Sequence, residues 1–185
     1  MRRWIRTFIC GLATLILMLL ARTMPAAEIS EENQTKAGLL IKLAQFTDWP
    51  ADAFRTTNSP AIIGIAGTDP FGGFLDKTAK DARAHGRRLE IERYHSLEEI
   101  KTCHILYIGK SEKNRLNKVL DMVKGKPVLT VSDMSGSSVH PIMVRFMTER
   151  TRVRFRINVE QTKTAGLTIS SKVLREAEIV GPNDK

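Results

Sequence analysis

The run Ala61–Ala66 (AIIGIA) passes without a polar interruption into Gly67, Thr68, Asp69 and Pro70, and this junction limits what the chain can fold into. A strand with no polar face is buried on both sides, which places it inside a parallel sheet. Asp69 stands where a helix cap is needed and Pro70 where the first helical residue follows. Phe71, Phe74, Leu75, Ala79 and Ala82 then recur on one face, and Gly86 is the expected left-handed stop. Strand, tight turn and returning helix make a βαβ unit from which a sheet grows outward.

The rest of the chain repeats this grammar. Ser30 with Glu31 and Glu32 reads as a helix start, followed by a helix over 33–46 that is apolar around most of its circumference. Only Lys36, Lys42 and Gln45 keep a wet side. Such a helix is either sandwiched against the sheet or offers part of itself to a partner. Trp49 precedes Pro50 and is therefore extended at the helix exit, and 52–60 is a polar loop. Strands follow at 88–94, 103–108 and 127–131, the first alternating and nearer a sheet edge. Ser96 and Glu99 have capping-box spacing. Ser111 reads as the cap of a helix bearing Leu116, Val119, Leu120 and Val123 on one face, stopped by Gly125.

After Gly136 the pattern changes to two strands, 142–147 and 152–159, joined by a turn at 148–151. They read as an antiparallel hairpin on the edge of the parallel sheet. Arg152, Arg154 and Arg156 share one face of the second strand, either to meet an acidic partner or lipid phosphates or to keep an edge strand from unwanted pairing. Asn158 caps a short helix ended by Gly166, and 170–180 reads as a last helix. The fold class is thus α/β, a mostly parallel sheet with helices on both faces and a C-terminal antiparallel edge hairpin.

At 185 residues, 42% hydrophobic and 26% charged, the chain suits one globular domain. Its first 27 residues run from MRRWIR through an apolar stretch to Pro25, Ala26 and Ala27, the three zones of a secretory signal peptide, with residues 28–185 as the domain. The apolar stretch is short for a retained anchor. Removing it takes away Arg2, Arg3, Arg6 and Arg22 and lowers the formal charge of +9 by four. Much of the basicity is therefore targeting, and nothing in the remainder demands nucleic acid. Cys103 becomes the single cysteine of the exported chain, so an internal disulfide is ruled out, and the thiol is either a small buried hydrophobe in a strand or available for an intermolecular bridge.

Little in the sequence points to chemistry. Gly64, Gly67, Gly72 and Gly73 do not have the dinucleotide spacing, and His85, His95, His104 and His140 have no paired ligand spacing, so no metal or cofactor is expected. Cys103 and His104 are adjacent in a strand and point to opposite faces. Asp69, Ser111 and Asp133 follow three strand ends, where open α/β sheets place ligand crevices, and form a candidate small-molecule site.

The segments KAGLLIKLAQFTDWP, IGIAGTDPFG, CHILYIG, PVLTVSD and VRFRINVEQTKTAGLTISSKVL occur in an order and spacing that resembles the YfiR family of small exported bacterial proteins. The resemblance implies a periplasmic α/β protein, often a homodimer, that is not an enzyme. It implies repression of a membrane-anchored diguanylate cyclase by binding its periplasmic part, release by an outer-membrane lipoprotein, and lowered cyclic-di-GMP and biofilm formation. Two departures stand out: members with disulfides pair the cysteine matching Cys103 with one that this chain lacks, and His140 and Pro141 replace a common Gly-Gly pair. On this reading Leu39, Phe46 and Trp49 are the candidate apolar contacts, with Arg152, Arg154 and Arg156 as electrostatic support. The rival is a periplasmic small-molecule sensor acting with a membrane kinase through Asp69, Ser111 and Asp133.

Overall fold

The computed structural model describes residues 29–100, 102–136 and 141–181. The expected signal peptide and His140 lie outside the described residues. Helix α1 (Glu31–Gln45) opens as expected, Ser30 Oγ accepting the Asn33 amide and two glutamates occupying the first turn. A two-residue strand β1 (Thr47–Asp48) follows, then the buried strand β2 (Ala61–Ala66) and helix α2 (Gly72–Lys80). Asp69 is not the helix cap: its Oδ1 accepts the Phe71 amide at 2.6 Å in a turn ahead of the helix, which begins at Gly72, two residues beyond Pro70, with Phe71 at the capping position.

Gly86 does not end this helix. It has φ +80° and, with His85 at +50°, forms the tight turn between β3 (Arg83–Ala84) and β4 (Arg87–Tyr94). Two consecutive left-handed residues are what a short hairpin of this hand requires. The capping-box residues Ser96 and Glu99 make only a 3-10 turn, Leu97–Glu99, with Glu99 accepting the His95 amide. Strand β5 (Ile105–Ile108), a 3-10 stretch (Lys110–Arg115), helix α3 (Leu116–Val123) and strand β6 (Leu129–Ser132) complete the parallel part.

The hairpin is present as β7 (Val144–Glu149) and β8 (Arg152–Asn158), and Asn158 caps α4 (Val159–Thr164) through the Gln161 amide. Strand β9 (Thr168–Ile169) pairs with β1. The expected last helix is cut short. Only α5 (Ser171–Leu174) is helical, and Glu178–Val180 forms strand β10, parallel to β8. The apolar residues Val173, Leu174 and Ala177 fit either conformation, and pairing with an open strand edge decides between them.

The eight-stranded sheet has the order β10-β8-β7-β6-β5-β2-β4-β3. Strands β6, β5, β2 and β4 are mutually parallel, as the sequence predicts, β7 joins them in parallel with β6, and the hairpin lies one strand in from the edge because β10 adds outside it. Helices cover both faces. On one face Leu40, Leu43 and Ala37 of α1 and Leu75 of α2 pack on Ile63, Ile65, Tyr107, Val131, Phe146 and Phe155. On the other, Leu116, Val119 and Val123 of α3 pack on Ala66, Leu106 and Ile108. Burying surface on this scale from both sides is what drives the chain together. Gly64 is required at the centre of β2, because a Cβ there would come within 2.4 Å of the Tyr94 ring laid across it.

Candidate functional site

The strand order reverses between β2 and β5, which is where a doubly wound sheet opens its crevice. Here that gap is closed. Ser111 Oγ accepts the Thr68 amide at 2.9 Å, and Gly67, at φ +82°, leaves no room for a side chain against Ser111 and Glu112. Ser111 therefore does not cap the following helix, as its position suggested; it ties the loop after β5 to the loop after β2. Asp69 is likewise committed, its Oδ2 taking the Arg93 Nε at 2.8 Å while Asp76 holds the other side of the same guanidinium.

Asp133 is the candidate that reaches a cavity. It lies just past β6 and lines a polar hollow of about 320 Å³ with Lys36, Tyr107, Lys110 and Glu32. Lys36, expected on the wet side of α1, is buried: its ammonium donates to Asp133 Oδ2 at 2.7 Å and to Glu32 one turn earlier. The stripe Lys36, Leu40, Leu43 follows the helical period, so the lysine points with the core residues toward the carboxyl end of the sheet. Burial pulls its pKa down, but hydrogen bonds to Asp133 and Glu32 outweigh that and raise it. Burial likewise favours protonated Asp133, and Lys36, with Tyr107 and Lys110 adding, reverses this and leaves the carboxyl below its usual range. Asp133 Oδ1 is buried with no hydrogen-bond partner among the described residues. The sequence marked Asp133 through its place after a strand; nothing in it joined Lys36, ninety-seven positions away, to the same cluster.

The candidate contact residues fall on opposite sides of the sheet. Leu39, Phe46 and Trp49 are half-buried against the core under α1. Trp49 Nε1 donates to the His104 carbonyl at 3.2 Å, and the Lys172 ammonium sits 5.7 Å from the Phe46 ring centre. Arg152, Arg154 and Arg156 alternate with Phe155 and Ile157, which belong to that core, and so project from the other face. Among the described residues the α3-side core includes none of β7, β8 or β10, and Arg152 and Arg154 are exposed while Arg156 is half-buried. Arg154 pairs with Glu149 at 3.1 Å and Arg156 with Glu178 at 2.9 Å. Arg145 of β7 stands directly opposite Arg156 and was missed in the sequence because it lies on the partner strand. A further groove of about 650 Å³, lined by Leu120, Val128, Met143 and Ala165, runs between α3 and α4.

His104 and Cys103 do diverge, but they lie just before β5, which begins at Ile105 and not at Cys103 as expected. His104 Nδ1 accepts the Ile62 amide at 3.0 Å, so Nε2 carries the proton and donates to the Ala53 carbonyl at 3.2 Å. Its ring stacks on Phe54 at 4.3 Å. Burial, with Arg87 adding and the Ala53 bond opposing, lowers its pKa. Cys103 lies in the α3-side core beside Tyr94, and burial pushes its thiol up to about 12. Among the described residues no cluster of His, Cys, Asp and Glu has metal-ligand geometry, and no helix is long and apolar enough to cross a membrane.

Residues 33–178, nearly all of the sheet and its helices, match the YfiR/HmsC-like family. The chain belongs to this family. No curated protein matches it. As a YfiR/HmsC-like chain it falls in a periplasmic, regulatory and non-catalytic family connected with diguanylate cyclases.

Proposed function

We propose that this YfiR/HmsC-like chain is a non-catalytic periplasmic repressor that binds the periplasmic part of an inner-membrane diguanylate cyclase, lowering cyclic-di-GMP and biofilm formation. The family match over residues 33–178 carries the reading. The arginine-bearing face of β8, on which Arg152 and Arg154 are exposed, supports it, since oriented guanidiniums suit recognition by side chains. Binding acts by preference: the repressor favours the cyclase conformation in which the cytoplasmic halves stay unproductive and so shifts a two-state equilibrium. Leu39, Phe46 and Trp49 would form a second contact on the opposite side, available to a second copy in a homodimer or to an outer-membrane lipoprotein that draws the repressor away.

The test is the intracellular cyclic-di-GMP level in the host after deletion and restoration. A rise on deletion, reversed by the full chain and not by a version without residues 1–27, supports repression from the periplasm. An unchanged level across growth conditions counts against it. The second reading, a small-molecule sensor acting with a membrane kinase, is favoured by the polar cavity at Asp133. Its sign would be ligand-dependent stabilisation lost on Asp133→Asn.

A further inference from the structure

We infer that Arg145, set opposite Arg156 on the face of β7 and β8 turned away from the α1-side core, is the receptor for a carboxylate on an acidic segment of a partner protein. Directly opposed residues of an antiparallel pair have neighbouring side chains, and like charges there destabilise the pairing. Arg156 answers this by bonding to Glu178, and its neighbour Arg154 by bonding to Glu149. Arg145 has no carboxylate within ion-pair distance among the described residues. It is also half-buried, so its charge is only partly relieved by water. Desolvation first and then Arg156 lower its pKa, with Glu178 opposing, and a carboxylate bound there would offset both costs.

Among the described residues the face carries more arginine than acid. Arg145, Arg152, Arg154 and Arg156 stand on it with Glu149 and Glu178. Charge complementarity therefore calls for an anionic partner, and the depth of Arg145 selects its kind. A planar array of lipid phosphates would meet the exposed Arg152 and Arg154 and be repelled by exposed Glu149 and Glu178. An aspartate or glutamate side chain reaches down between the strands to Arg145, whose planar fork accepts a carboxylate through two parallel bonds. The two glutamates then fix the register of that segment by rejecting misplaced acids. The inference deepens the regulatory reading and rests on it only for the partner's identity.

The exported chain, purified from the periplasm, is titrated by fluorescence anisotropy with a labelled peptide of alternating glutamate and threonine, a lysine-containing control peptide, and vesicles of phosphatidylglycerol and phosphatidylethanolamine. The acidic peptide is expected to bind more tightly at low salt, and Arg145→Gln to weaken it about tenfold, the value of one charge-assisted hydrogen-bonded pair. Arg145→Lys should fall between. The thermal midpoint of Arg145→Gln should stay level or rise, because a like-charge pair is relieved; a fall would overturn the inference in favour of a structural role. Equal peptide affinity in wild type and Arg145→Gln, or Arg145-dependent binding to vesicles alone, overturns it too. Should Arg145→Gln fail to fold, Arg145→Lys and the salt dependence decide alone. Arg145-dependent peptide binding with unchanged cyclic-di-GMP in an Arg145→Gln host keeps the acid site and removes the cyclase as its partner.

Discussion

Lys36 Nζ and Asp133 Oδ2 meet at 2.7 Å, with side chains only 3% and 7% exposed, and join the first helix to the far end of the fourth parallel strand from the chain's start. Two charges so deeply placed hold each other in their ionised forms, and the pair fixes the position of α1 over the sheet.

Removing Lys36 leaves Asp133 buried with only the more exposed Lys110, 3.3 Å away, as a cation. Lys36→Met is expected to lower unfolding stability by about 3–5 kcal/mol. The double variant Lys36→Met, Asp133→Leu should recover most of it, since an apolar pair of similar volume has no desolvation cost. Urea denaturation of the three variants checks this, and a double variant no better than the single would deny the pair its part.

His104 predicts a pH dependence. Its folded pKa lies below the usual histidine value, so the fold prefers the neutral ring. The stability it contributes is complete above about 6.5 and is lost as the pH falls from there toward the folded pKa. Protonated Nδ1 can no longer accept the Ile62 amide. Thermal midpoints should therefore fall over that window in wild type and change less in His104→Gln. Parallel profiles would place the titration elsewhere.

The clasp between the two strand-end loops is also measurable. Ser111→Ala removes the acceptor of the Thr68 amide and is expected to cost about 1 kcal/mol. Gly67→Ala should cost more, because a left-handed backbone adds about 1–2 kcal/mol and the new methyl meets Ser111 and Glu112. If the two denaturation midpoints fall equally, the crowding at Gly67 is not what shapes this junction.

Cys103 should be slow to alkylate. A thiol pushed up to about 12 carries roughly a thousandfold less thiolate at neutral pH than a free one, and the α3-side core covers it. Labelling with iodoacetamide is expected only as the protein unfolds, at a rate that rises with urea in step with the loss of circular dichroism. Fast labelling of the native protein would show that the strand end opens locally.

The parallel sheet was legible because Ala61–Ala66 and Ile105–Ile108 are apolar on both faces, a pattern that few other structures satisfy. Short segments were not. Arg83 and Ala84 carry no period, so the hairpin at Gly86 was hidden behind a glycine that suits a helix stop equally well. β10 was hidden by apolar residues whose spacing fits a helix, while its true determinant is the open edge of β8. The same limit applies to sites. Sequence spacing marked Arg152, Arg154 and Arg156 because one strand carries them, whereas Arg145 and Lys36 join their clusters only through pairing and packing across the fold.

The outermost strands of the eight-stranded sheet are its two shortest, β3 with two residues and β10 with three. A partner that adds a strand to such an edge gains few backbone hydrogen bonds, and these are the same for every sequence. Recognition is thereby moved onto side chains, where a single exchange of charge changes who binds. A regulator built in this way can be retuned to a new partner while its sheet, its core and its stability stay as they are.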